Sequence, residues 1–170
     1  MVDQPVNQEI NLKAYAPVFA TIYGESANQP VEVKRHVVSS ILNRAESGKS
    51  EFGADTGNIT DVLQKGYYAY SQQSAKYKEA INQTFPDKES ENQYKEGIRI
   101  FAGVLHGTIP RSDAQFFFTP REAKQLEKSK TFKMNLLENV GNAGAFQFFK
   151  YKDNSAQPGR KTNKNSPPAR

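Results

Sequence analysis

Two amphipathic helices are predicted by residues 12–46, LKAYAPVFATIYGESANQPVEVKRHVVSSILNRAE. In the first helix, apolar residues recur from Leu12 to Tyr23 every three or four positions, as a buried helix face requires. Asn11 is its predicted N-cap, because an asparagine side chain can accept a hydrogen bond from the first turn. The helix should end near residues 24–27, since Asn28-Gln29-Pro30 both breaks a helix and precedes a new one.

The second predicted helix covers residues 31–46 and ends at Ser47-Gly48. Its pattern turns the apolar residues between Val33 and Leu42 inward. Lys34 and Arg35 fall on the opposite face and should be solvated, and Arg44 should form an ion pair at the surface.

Shorter elements follow this helical pair. Helical segments are predicted at residues 59–64, 77–85, 91–106 and 121–128, the last of them opened by Thr119-Pro120. Two apolar strand candidates, 114–118 and 145–151, could pair as an antiparallel ribbon. The predicted fold class is therefore α+β, mainly α, with a small β-ribbon beside the helices.

The length of 170 residues and a hydrophobic fraction of 36% suit one domain with a real core. We assign this domain to residues 12–151. Residues 1–11 are polar and predict an extended arm, and residues 152–170 are basic and rich in Pro, Ser and Asn, which predicts a disordered tail. No cysteine is present, so disulfides and thiolate metal sites are excluded.

The net charge of +5 would suit nucleic acid, an anionic membrane face or an anionic wall polymer. The cations are concentrated in the tail, so contact with an anionic polymer or membrane is expected there and no stable nucleic-acid partner is expected. The N-terminus lacks the basic start and apolar run of a secretory signal, and no stretch approaches the roughly 20 apolar residues of a membrane span. The oligomeric state is left open.

The chemistry available to the chain is narrow. Two histidines, no cysteine and no dense carboxylate cluster predict neither a metal site nor a cofactor. Glu25, in ATIYGES, lies at the end of an apolar helix, where partial burial would raise the pKa of a carboxyl and suit a general acid. The alternative is an ordinary solvated glutamate at a helix end. His36 and His106 lie on helical stretches and are interpreted as structural or solvated.

Several short motifs are similar to those of one protein family. They are Tyr23-Gly24-Glu25 followed by Ile41-Leu42-Asn43-Arg44, then Asp61-Val62-Leu63-Gln64 with Tyr70-Ser71, then GTIPRSDAQFFFTP at 107–120, and finally GAFQFF at 144–149. In this order they resemble the signature of the SleB-type cell-wall hydrolases, the spore-cortex-lytic enzyme family.

The chain also departs from that signature. Ser26-Ala27-Asn28 stands where the family often has alanine-arginine-glycine, Thr119 where it has asparagine, and Phe146 where it has histidine. The roles of that asparagine and histidine therefore do not transfer, whereas the glutamate is retained.

The resemblance implies a lysozyme-like fold and cleavage of the peptidoglycan glycan strand between N-acetylmuramic acid and N-acetylglucosamine. The enzyme would be a muramidase or a lytic transglycosylase, with Glu25 as its catalytic acid. A muramic sugar can supply its own acetamido oxygen as nucleophile, so a second carboxylate is not required. Asp55, Asp61 and Asp113 remain candidates for a second acid if water is the nucleophile.

Substrate contacts are predicted for two groups of residues. Flat aromatic rings pack on pyranose faces, which favours Tyr67, Tyr68 and Tyr70 as a sugar groove, although some of these rings could equally be core. The motifs and their neighbourhood add Tyr23, Asn43, Ser71 and Phe118. Asn43 could orient Glu25 or bind substrate, and the Phe116–Phe118 run suits the core as well as the site.

Two other functions stay open. A noncatalytic structural or wall-binding protein could keep the same scaffold, and the departures at Thr119 and Phe146 favour this alternative. A basic nucleic-acid-binding domain is the third possibility. If the protein is the enzyme, it would reach the wall as a phage lysin, as a virion component or through another protein's pore, since no export signal is evident.

Overall fold

The computed structural model describes residues 13–129 and 132–152. Its helices are α1 (Ala16–Ser26), α2 (Val31–Glu46), α3 (Ile59–Gly66), α4 (Tyr68–Ser71), α5 (Ala75–Asn82), α6 (Lys88–Leu105) and α7 (Pro120–Lys128). Short 3-10 segments lie at Ser50–Phe52, Ala54–Thr56 and Met134–Leu136, and the strands are β1 (Phe116–Phe118), β2 (Leu137–Ala143) and β3 (Phe146–Tyr151). The predicted mainly helical α+β class is confirmed. The predicted arm and the tail beyond Lys152 lie outside the described residues.

Helix α1 is the centre of the helical part. Every residue from Val18 to Tyr23 is buried, and the helix contacts α2, α3, α4, α5 and α6. Aromatic rings join it to α6: the Phe19 and Phe101 ring centroids are 5.3 Å apart, and those of Tyr23 and Tyr94 are 6.0 Å apart. Each such buried side chain stabilises the fold by about 1.5–3 kcal/mol relative to exposure.

The start of α1 differs from the prediction. The helix begins at Ala16 with Tyr15 in the N-cap position, so the predicted N-cap at Asn11 is wrong. Pro17 lies in the first turn, where a missing N–H costs no hydrogen bond and the fixed φ favours the helix. A proline in the middle of a longer helix would have been costly, which explains the later start.

Helix α2 has the predicted bounds, but one of its cations lies on the buried side. Lys34 is only 1% exposed, which corrects its predicted outward placement. Its ammonium donates hydrogen bonds to the Gln29 carbonyl at 2.8 Å and to Gln93 and Glu96 of α6 at 2.5 and 2.7 Å. The charge is paired and fully hydrogen-bonded, so its burial is tolerated and ties α2 to α6.

The three strands form an antiparallel sheet in the order β1-β3-β2. The predicted pairing of β1 with β3 is confirmed, with Phe117 opposite Phe148. Strand β2 was not predicted. Its sequence, LENVGNA, has little apolar alternation, and a register irregularity between Asn139 and Gly141 interrupts its pairing with β3.

Helix α7 begins at a capping box between the sheet and the helices. The Thr119 hydroxyl accepts a hydrogen bond from the Glu122 amide, and the Glu122 carboxylate accepts one from the Thr119 amide at 2.7 Å.

Within the described part of the chain, no helix is both long enough and apolar enough to cross a membrane.

Candidate active site

Glu25 is the penultimate residue of α1, and its carboxyl is half-buried where α1 meets α4. Its Oε1 accepts a hydrogen bond of 2.7 Å from the backbone N–H of Ala69. Among the described residues, no hydrogen bond to Oε2 is found. The backbone therefore fixes one carboxyl oxygen and leaves the other without a hydrogen bond in the described structure.

The approach of α4 to Glu25 depends on the preceding glycine. A Cβ at Gly24 would lie 2.5 Å from Ala69 Cβ and 3.3 Å from Ser74 Oγ. Any side chain here would push Ala69 away, and with it the N–H that holds Glu25. The glycine in the Tyr-Gly-Glu motif is thus required by packing beside the carboxyl.

Burial raises the pKa of Glu25 above its ordinary value. The Ala69 N–H and the positive charge of Arg44 oppose this rise, because both favour the carboxylate, whereas the negative charge of Glu122 adds to it. Desolvation is the largest of these effects. A carboxyl with a raised pKa keeps its proton at higher pH, which is what a proton donor needs.

Arg44 is buried, which corrects its predicted surface ion pair. Its guanidinium carbon lies 5.1, 5.1 and 4.9 Å from the ring centroids of Phe52, Tyr67 and Phe116, and its Nε donates to the Gln115 carbonyl. A Cβ at Gly66 would lie 1.7 Å from Arg44 Nη1, so this glycine makes room for the cation. The aromatic cage holds a fixed positive charge that acts on Glu25.

Three tyrosines lie at α4, Tyr67 just before the helix and Tyr68 and Tyr70 within it, and their environments differ. Tyr67 is buried beside Arg44, and its hydroxyl is 2.8 Å from Ser40 Oγ, so it belongs to the core. Tyr68 is 72% exposed and directly precedes the residue that holds Glu25. Tyr70 is half-buried edge-on against Tyr77. Of the three, Tyr68 exposes the most ring surface.

Other predicted substrate contacts are spread over the fold. Tyr23 is buried and donates a 3.1 Å hydrogen bond to Glu79. Asn43 donates to the carbonyls of Ser112 and Ala114 at 2.9 and 2.8 Å, so it anchors the segment before β1 instead of orienting Glu25. Its amide is a structural cross-link.

Ser71 and Phe118 complete the predicted substrate set. The Ser71 hydroxyl donates weakly to the Tyr68 carbonyl at 3.4 Å within α4. Phe118 is half-buried on β1 and contacts the Phe132 and Phe149 rings at centroid distances of 5.7 and 5.8 Å. Its ring is therefore largely engaged by its neighbours.

The candidate second acids do not act on Glu25. Asp55 is exposed in a 3-10 segment, Asp61 lies in the first turn of α3, and Asp113 faces Lys150 at 3.5 Å. None of their charges is among those that shift the pKa of Glu25. The acid that does so is Glu122, which sequence reasoning missed, although the Thr-x-x-Glu spacing of a capping box is visible in the sequence.

The departures from the family signature have structural roles. Thr119 caps α7, as described above. Phe146 packs edge-on against Phe117 at a centroid distance of 5.7 Å and contacts Phe148 at 6.4 Å. A phenyl ring at this position stabilises the sheet, but it cannot donate a proton or a hydrogen bond.

His36 is buried and stacks on Phe148 at a ring distance of 4.2 Å, with its Nδ1 2.8 Å from Ser112 Oγ, whereas His106 is exposed. Both placements agree with the structural or solvated interpretation. Over residues 13–129 and 132–152, no three His, Asp or Glu side chains are grouped so that they could hold a metal ion.

Comparison with protein-family models, with curated proteins and with solved structures finds no match.

Proposed function

We propose that the protein cleaves the glycan strand of bacterial peptidoglycan between N-acetylmuramic acid and N-acetylglucosamine, as a lytic transglycosylase or muramidase on a lysozyme-like helical scaffold. Glu25 is the proton donor. The site of action is the cell wall, reached as a phage lysin or a virion component.

The observation that carries this proposal is the state of the Glu25 carboxyl. It is half-buried with a raised pKa, and one oxygen is held by the Ala69 N–H while the other makes no hydrogen bond within the described structure. A glycosidic oxygen leaves only when it is protonated, so cleavage needs one carboxyl that is both protonated and accessible. A purely structural glutamate at a helix end would have no need for this combination.

The chemistry needs no second protein carboxylate. Glu25 gives its proton to the glycosidic oxygen as the acetamido oxygen of the muramic sugar attacks the anomeric carbon. The C6 hydroxyl then displaces the acetamido oxygen, and its proton returns to the Glu25 carboxylate, which leaves a 1,6-anhydro end. If water replaces the C6 hydroxyl, the same residue accepts its proton and the product has a reducing end.

Two neighbours of Glu25 support this role. The buried Arg44 stabilises the carboxylate that forms when the proton leaves, since its charge favours the ionised form. The exposed ring of Tyr68 lies next to the residue that holds Glu25, where it can pack on a sugar face.

A noncatalytic wall-binding or structural protein is the second candidate. The observation that favours it is Phe146, which fills the position of the family histidine with a ring packed against Phe117 and Phe148. Such a protein would bind wall fragments and release no products from them.

The test is release of soluble fragments from purified peptidoglycan of several chemotypes. Wild type should release fragments, Glu25→Gln should release none, and Glu127→Gln, which changes an exposed acid on α7, should act as wild type. The glutamine keeps the shape of the side chain and its hydrogen bond from Ala69, but it has no proton to donate. Binding without release by all three proteins would establish the second candidate instead.

A further inference from the structure

Three cations of α7 lie along one side of the helix. Arg121, Lys124 and Lys128 are spaced three and four positions apart, so their side chains share a face. Together with Pro120 and Gln125 they line a cavity of about 380 Å³. Neither acid of the helix, Glu122 or Glu127, is among the lining residues.

These cations are not neutralised. Within the described residues, none of the three charged groups forms an ion pair or a hydrogen bond. By contrast, Lys88 lies 2.8 Å from Glu91, and Arg111 lies 2.5 Å from Glu46. Three free positive charges around one concave surface would attract an anionic ligand.

Helix α7 carries both this cationic cavity and the acid that acts on Glu25. Glu122 is in the first turn of α7, and its charge acts on the pKa of Glu25. The row from Arg121 to Lys128 then runs away from this point for about 10 Å, at 1.5 Å of rise per residue. The three cations therefore lie within about two helical turns of the acid that acts on Glu25.

Peptidoglycan carries suitable anions next to its scissile bond. Each muramic sugar bears a short peptide with free carboxylates and apolar side chains, so a strand cleaved beside a muramic sugar brings this peptide close to the catalytic acid. The surface of the cavity is mostly apolar, formed by Pro120 and the methylenes of the long side chains, which suits the apolar parts of the peptide, and the three cations that line it can attract the carboxylates.

We propose that the Arg121, Lys124 and Lys128 face of α7 binds the carboxylates of the peptide stem of peptidoglycan. This inference rests on the proposed function and adds that the enzyme recognises the peptide as well as the sugars. Denuded glycan strands would then be poorer ligands than strands that keep their peptides.

The test measures binding by full-length protein that carries Glu25→Gln, so that the ligand stays intact. Its ligands are glycan strands with their stem peptides and the same strands after an amidase has removed the peptides. The test variant adds Lys124→Gln and Lys128→Gln. The control adds Lys78→Gln and Arg99→Gln, which remove two exposed charges from α5 and α6.

The test variant should bind peptide-bearing strands about fivefold to tenfold more weakly than the control, as expected for the loss of two exposed charge contacts. This difference should shrink at high salt and vanish with denuded strands. Equal binding by both variants overturns the inference, and so does an equal loss of binding to peptide-bearing and denuded strands.

The outcomes also separate this inference from the proposed function. If denuded strands bind and the α7 variant has no effect on either ligand, the inference fails while the proposed function stands. If neither strand preparation binds any form of the protein, the proposed function fails and the inference fails with it.

Discussion

Replacement of Gly24 by alanine probes the packing on which the candidate site depends. The new Cβ would lie 2.5 Å from Ala69 Cβ, whereas ordinary contact begins at 3.4 Å, so α4 must move by about 0.9 Å. A shift of that size would stretch the 2.7 Å hydrogen bond from Ala69 to Glu25 close to or beyond its limit. Overpacking costs about 1–3 kcal/mol, against a gain of roughly 1 kcal/mol in helix propensity.

We therefore expect Gly24→Ala to be destabilised by about 1 kcal/mol, the middle of the resulting range, which lowers the urea midpoint by roughly 0.5 M. Wall cleavage should fall as well, because Glu25 loses its fixed orientation. Gly97→Ala is the matched control. It brings the same gain in helix propensity, and its Cβ would meet Ile22 Cγ2 at 3.1 Å, a milder contact than the 2.5 Å at Gly24. Equal urea midpoints and equal activity for the two variants would refute this account of the site.

Three further predictions follow from the charged residues. Glu25→Gln should raise the melting temperature at pH 8 and not at pH 4: the folded-state pKa of Glu25 is raised, so its stabilising proton is kept at low pH and lost as pH rises through that pKa. Arg44→Gln should raise the pKa of Glu25 further, so the alkaline limb of the activity profile should move to higher pH. Arg44→Lys keeps the positive charge, so its alkaline limb should lie close to that of wild type. Lys34→Ala should cost about 2–3 kcal/mol in urea unfolding, because it removes a buried ammonium and leaves the carboxylate of Glu96 without its partner.

Periodicity predicted the helices that bury one apolar face. Helix α2 matches its predicted bounds because Pro30 and Ser47-Gly48 flank a clear apolar pattern. The Phe-rich strands were recognisable from their short apolar runs. The pattern could not predict β2, because Asn and Gly residues interrupt its apolar alternation. Its strand conformation depends on pairing with β3.

The burial of cations was also invisible in the pattern. Lys34 is held by Glu96, 62 positions away, and Arg44 is enclosed by rings from three separate segments. A one-dimensional pattern assigns every cation to the solvent, since it contains no information on such distant partners.

The candidate site, too, was only partly predictable from the sequence. The sequence singled out Glu25 because a carboxyl follows a glycine at the end of an apolar helix. It could not show that the Ala69 N–H, 44 positions away, fixes one carboxyl oxygen, or that Glu122 is the acid that acts on it. The sequence pattern also predicted the same role for Tyr67 and Tyr68, although Tyr67 is buried and Tyr68 is 72% exposed.

Mass spectrometry of the wall fragments is the most direct test of the central claim, that Glu25 protonates the bond on the muramic side of the glycan strand. We expect wild type to create new muramic ends, either 1,6-anhydro or reducing, and Glu25→Gln to create none. New reducing ends on N-acetylglucosamine, or the same products from Glu25→Gln, would contradict it.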